Sequence, residues 1–348
     1  MINPGLFDAD GLANPNNNIF GLPFSEMQAK LILLPVPWEV TVSYGAGTAR
    51  APGQIFDASM QVDLFDPDTP DAWKQGIFML PPDNEVLTKS DELRKLAEDH
   101  IELISTGKKV DENPGFQETL NKINAGSKWL NNWVYEQSIG LLKKGKLVGL
   151  VGGDHSTPLG SWKAHAEVHG EFSLLHIDAH CDLRKAYEDF IYSHASILYN
   201  GLKEISQITN LVQVGLRDYS RGEWETIQAA DGRIAAYTDR SIKTRMLEGE
   251  TWKSICDEII GHLYGKVYIS YDIDGLDPKL CPNTGTPVPG GLEAAQVHYL
   301  LKRLRESGRK IIGFDLVEVG LSDNEWDANV GARELWKLCN ELIAANNE

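Results

Sequence analysis

The chain has 348 residues, 42% hydrophobic and 24% charged, so it can bury a core and is not broadly disordered. A formal charge of -17, from 33 Lys and Arg against 50 Asp and Glu, excludes a general affinity for nucleic acid and favours cationic ligands. The cysteines Cys181, Cys256, Cys281 and Cys339 form no CxxC pair, which excludes zinc knuckles and CxxC redox chemistry.

No basic, apolar leader opens the chain and no uninterrupted apolar run approaches membrane-spanning length. With four separated thiols, a cytoplasmic protein with no membrane partner is expected. Residues 1–29, rich in Asn, Pro and Gly as far as Gly21, are expected to form an N-terminal arm. From Lys30 the run LILLPVP predicts a buried strand. The Gly-rich stretch 43–48 that follows is a plain turn or a place where backbone approaches a ligand. Residues 66–84 are rich in Pro and Asp and lead into helices over 91–106 and 117–144. In the first helix Leu93, Leu96, Ala97, Ile101 and Ile104 recur at the spacing of a core face.

Further on, apolar runs at 146–153, 171–179, 210–215, 266–272 and 309–317 alternate with helical or loop stretches. That rhythm predicts a mostly parallel sheet covered by helices on both faces, in one domain spanning 1–348.

Three motifs stand where predicted strands end, the place at which open α/β sheets bind ligands. They are Gly152-Gly153-Asp154-His155-Ser156, Asp178-Ala179-His180-Cys181-Asp182 and Asp272-Ile273-Asp274-Gly275-Leu276-Asp277-Pro278. Alternate residues of an extended segment share a face, so Asp178, His180 and Asp182 can converge, as can Asp272 and Asp274. With His155 they gather four carboxylates and two imidazoles. Four ionised carboxylates in a cleft repel one another unless cations neutralise them. Two divalent ions balance the charge, and oxygen and imidazole ligands without thiolate favour Mn2+, with Ni2+, Fe2+ and Co2+ also suited. Each motif alone also fits a cap, a turn or a satisfied polar pair.

These residues resemble the ureohydrolases, the family of arginases and agmatinases, whose signatures are GGDH, DAHxD and DxDxxDP elements in this order. The resemblance extends to Thr284–Leu292 and to Asp315-Leu316-Val317-Glu318-Val319 and runs from about Leu31 onward, with about 66–132 a divergent, insertion-bearing region. It implies a three-layer α/β/α fold around a mostly parallel sheet of about eight strands, assembled as a trimer or hexamer. It also implies one ion held by His155, Asp178, Asp182 and Asp272 and a second held by His180, Asp178, Asp272 and Asp274. Glu318 would pair with a substrate guanidinium, His194 would shuttle protons, and Asp274 would stabilise the tetrahedral intermediate. Asp154, Asp277 and His176 are expected to support the site or the fold.

The implied reaction releases urea and an amine from a small cationic guanidino compound. Arg184 stands where arginases carry Asn, and DAHCDLR followed by YSHAS is closer to the agmatinase branch. Guanidine, arginine, a guanidino acid or formiminoglutamate remain alternative substrates. The metal-dependent deacetylases, which share the general fold, typically lack the full ligand set present here.

Overall fold

The computed structural model describes residues 7–107 and 114–347. Eight strands, β1 (Leu31–Val36), β2 (Ile77–Met79), β3 (Leu147–Gly152), β4 (Phe172–Ile177), β5 (Ile208–Leu216), β6 (Ile234–Thr238), β7 (Lys266–Asp272) and β8 (Lys310–Val317), form one sheet in the order β2-β1-β3-β8-β7-β4-β5-β6. Every pairing is parallel, where the sequence pattern predicts a mostly parallel sheet. Unbroken apolar runs explain this, because a parallel sheet is buried on both faces. All six residues of β4 are buried.

Successive side chains divide between two layers. Leu175 and Ile177 share a core with Ile55 of α1 (Ala51–Ser59), Ile242 of α7 (Asp239–Leu247), Ile255 of α8 (Trp252–Gly261), Leu300 of α9 (Ala294–Glu306) and Leu335 of α10 (Trp326–Ala344). Phe172 and Leu174 pack instead with Trp162 of α4 (Leu159–His169), Leu198 of α5 (Ile197–Glu204) and Ile227 of α6 (Arg221–Gln228). The helices α2 (Asn84–Ser105) and α3 (Pro114–Lys143) lay Val86, Ile123 and Val134 against Leu34, Val36 and Leu150. The expected α/β/α sandwich is present, and no described helix is long and apolar enough to cross a membrane.

Three details differ from expectation. The stretch 66–84 contains strand β2. Helix α2 begins at Asn84 rather than 91, because the Asp83 side chain accepts the amides of Glu85 and Val86 at 2.7 and 3.3 Å and starts the helix there. The described part of the arm lies on the body: the Phe20 ring meets Trp336 edge-on at 4.8 Å, and Asn18 pairs through its side chain with the backbone of Met79. Its first six residues lie outside the described residues.

Candidate metal centre

The four central strands β3, β8, β7 and β4 deliver their C-terminal ends to one place. After β3, Gly153 passes so close to Trp38 that a Cβ would lie 1.8 Å from its carbonyl oxygen, so only glycine fits. Asp154 then turns the chain by accepting the Ser156 amide at 2.9 Å, which projects His155 inward. After β4 come Asp178, His180 and Asp182. After β7, Asp272 Oδ1 accepts the Asp274 amide at 2.8 Å, and Asp274 Oδ1 accepts the Ala179 amide at 3.0 Å. A Cβ on Gly275 would lie 2.8 Å from the Asp178 nitrogen, so the two loops meet backbone to backbone.

Two groups of donors result. His155 Nδ1 lies 3.1 Å from Asp178 Oδ2, 3.1 Å from Asp182 Oδ2 and 3.3 Å from Asp272 Oδ2. His180 Nδ1 lies 3.4 Å from Asp178 Oδ1 and 3.1 Å from Asp274 Oδ2. Asp178 thus offers one oxygen to each group. Ligands about 2.1 Å from a common ion stand about 3 Å apart, which is the spacing seen.

The tautomer also fits. His155 Nε2 meets Ser270 Oγ at 2.9 Å, and that hydroxyl donates to Asp315 Oδ1 at 2.8 Å, itself held by Trp162 Nε1. Nε2 therefore carries the hydrogen and Nδ1 keeps its lone pair for an ion. The electrostatics point the same way. Burial, then Asp274 and Asp178, push the Asp272 carboxyl well above the usual range. Burial and Asp178 raise Asp182 as well. Burial would also raise Asp178, but the imidazoles of His176, His155 and His180 pull it well below the ordinary carboxylate value. Crowded acids of this kind are relieved by cations. The neighbouring Cys181 thiol is pushed upward by burial and by Glu223 and Asp182, so it stays protonated and outside the ligand set.

These groups face a cavity of about 410 Å³, lined also by Ser43, Tyr44, Arg184, Tyr187, His194, Thr286 and Glu318. Glu318 is buried, with φ of 60°, and its Oε1 accepts the His155 amide at 2.8 Å. Burial, then the Asp154 carboxylate, raise its pKa well above the ordinary value. Burial, then the imidazoles of His180 and His155, lower His194 to about 3. The Arg184 guanidinium lies 4.8 Å over the Tyr187 ring and 3.6 Å from Glu223, whose carboxylate already accepts from Leu183, Ser220 N and Ser220 Oγ.

All eight residues expected at the site therefore line one cavity or its floor. Asp154 supports it through Thr41 and Ser156, whereas Asp277 accepts the Lys279 amide in a partly exposed turn. His176 stands closer than expected, with Nε2 2.8 Å from Asp178 Oδ2, and could itself be taken for a ligand. Gln213 argues otherwise: its amide nitrogen donates to the Cys181 carbonyl and to His176 Nδ1, leaving the hydrogen on Nε2. Sequence reasoning missed Thr41, which lies 3.4 Å from His194 Nδ1 and accepts the His194 amide. Nothing local marks Thr41, whereas His176, two residues before Asp178 on the same strand face, keeps the supporting place expected of it.

Comparison with known proteins gives the same picture. A family model described as Arginase family matches residues 29–339. The chain is 31% identical over 315 residues to N(1)-aminopropylagmatine ureohydrolase of Thermus thermophilus, covering 90% of this chain and 89% of that protein. It is 31% identical over 232 residues to proclavaminate amidinohydrolase of Streptomyces clavuligerus, covering 60% and 68%. Its fold is similar to that of an agmatine ureohydrolase of Thermoplasma volcanium, with a TM-score of 0.69, 21% identity and coverage of 99% and 97%.

Proposed function

This chain belongs to the arginase family, and from that premise we propose that it is a binuclear metal hydrolase splitting a small guanidino compound into urea and an amine. Agmatine, giving putrescine, is the first candidate substrate. The observation that carries this reading is that Asp178 offers an oxygen to each of two donor groups, under a cavity that also holds the buried Glu318.

His155, Asp178, Asp182 and Asp272 would hold one ion, and His180, Asp178, Asp272 and Asp274 the other. Hard oxygen and imidazole ligands favour Mn2+, then Ni2+. When bound, the ions would supply Lewis acidity at the cavity floor and neutralise the surrounding carboxylates. Glu318 orients the guanidinium through paired charge-assisted hydrogen bonds. His194, in the cavity wall, would pass a proton to the leaving amine. Asp274 accepts a hydrogen bond from the tetrahedral intermediate before the carbon–nitrogen bond breaks. The chain is proposed to act as one domain, in a cytoplasmic trimer or hexamer.

Arg184 favours a second reading. Its cationic head in the cavity wall suits a guanidino or formimino substrate that carries a carboxylate.

The test is release of urea by the Mn2+- or Ni2+-loaded protein from agmatine, arginine, guanidine, guanidinobutyrate and guanidinopropionate, with Asp274→Asn as control. Agmatine turnover abolished by that substitution is expected. No urea from any of them, with both ions verified in place, would overturn the reading.

A further inference from the structure

Arg217 follows β5 and contributes nothing to the donor groups, yet its side chain is committed throughout. Nε donates to the Val288 carbonyl at 3.1 Å and Nη1 to Gly215 at 3.1 Å. Nη2 donates to Asp274 at 2.6 Å and to Leu276 at 3.1 Å, and the Gly275 carbonyl lies 3.5 Å from Nη1. All of these acceptors are backbone carbonyls, and none is a carboxylate. The Arg217 amide donates in turn to the Ala179 carbonyl at 2.7 Å, between Asp178 and His180.

One residue thus grips three segments: its amide holds the loop of Asp178 and His180, and its guanidinium holds the loop of Asp274 and the wall at Val288. Glycine at 215, with φ of 103°, lets β5 come this close, since a Cβ there would lie 3.0 Å from the Asp178 carbonyl oxygen. A lysine has the charge but only a compact ammonium, which cannot span carbonyls so far apart.

We propose that Arg217 is a positioning residue that sets the geometry of the His180, Asp178 and Asp274 donor group and ties it to the Val288 wall of the substrate cavity. The proposal rests on the binuclear reading above. It predicts an unequal effect, because the Arg217 guanidinium bonds the Asp274 carbonyl of one group and, among the described residues, makes no bond to His155 or Asp182, the members peculiar to the other. Outer groups that orient metal ligands are worth roughly 10- to 100-fold in affinity.

The experiment is titration of metal-free wild type and Arg217→Lys with Mn2+, followed by calorimetry and metal analysis, with thermal melting of the metal-free proteins as the check on folding. Wild type is expected to take two ions. Arg217→Lys is expected to bind one ion roughly 10-fold or more weakly and the other with a smaller loss, with little change in metal-free melting. Two ions bound by the variant at wild-type affinity would overturn the proposal while leaving the binuclear reading intact, whereas a wild type that binds no ions would overturn both. Should the lysine variant fail to fold, amide exchange of wild type with and without Mn2+ decides. Protection of residues 286–290, which contain no ligand, should rise together with that of 272–276, and no change at 286–290 would overturn the clamp.

Discussion

Glu318 holds a left-handed backbone conformation that costs a non-glycine residue on the order of 1–3 kcal/mol, so its surroundings must enforce it. Its amide donates to the Gly153 carbonyl at 2.8 Å, and the Glu318 carbonyl accepts from Thr284 Oγ1 at 2.8 Å. The strained turn aims a buried carboxylate at the cavity, where burial and Asp154 raise its pKa and a bound guanidinium would restore its charge. Glu318→Gln keeps the size and the acceptor for the His155 amide but removes the charge. Losing one partner of a buried ion pair costs several kcal/mol, so kcat/KM should fall on the order of 100-fold or more with both ions retained. Steady-state kinetics beside metal analysis checks this, and an unchanged kcat/KM would remove Glu318 from substrate binding. At this scale the convergence of the His and Asp donors was legible, because strand periodicity and charge balance both act within a few residues. Thr41 and Arg217 were not: their partners lie far away in sequence, and a single Thr or Arg carries no local pattern.

Among the elements, the long central strands were legible from continuous apolar runs, whereas the three-residue β2 and the half-buried β6 at the sheet edges carry little signal. The divergent region hid a further role, since Arg94 of α2 donates to the carbonyls of Val40 and Val42 and so holds the loop that carries Thr41 to His194. Helix α4 supports a prediction of its own. His165 Nδ1 donates to the Ser161 carbonyl at 2.9 Å, while Nε2 has no hydrogen-bond partner among the described residues and fills the space left by Gly313 on β8. Burial lowers its pKa from 6.5 to about 3. The unfolded chain therefore takes up this proton first as pH falls below about 6.5, and stability is lost down to about pH 3. At pH 5 the loss from this one group is about 2 kcal/mol. In chelator-treated protein, the stability difference between wild type and His165→Gln should shrink by about that amount from pH 7 to pH 5, as measured by urea denaturation. A difference independent of pH would show that His165 is not held neutral by the fold.

At the scale of the molecule, the order of motifs along the chain allowed the sheet to be anticipated, but not that β8 lies between β3 and β7. That insertion brings Glu318 beside His155. The donor groups come from loops after β3, β4 and β7, which sit in one sheet with α10 packed against β8, α9 and α1. An ion bound there would join loops that follow different strands of the sheet, so its binding free energy adds to the stability of the whole sheet rather than to one loop. At an ion concentration 100 times Kd each ion contributes about 2.7 kcal/mol. For 348 residues that corresponds to roughly 4 °C in melting temperature per ion. Chelation should therefore lower a single cooperative transition by roughly 8 °C, and readdition of Mn2+ should restore it, as followed by scanning calorimetry. Two resolved transitions would contradict one folding unit, and a melting temperature indifferent to chelator would mean that the crowded carboxylates of the centre are neutralised by protons instead of metal.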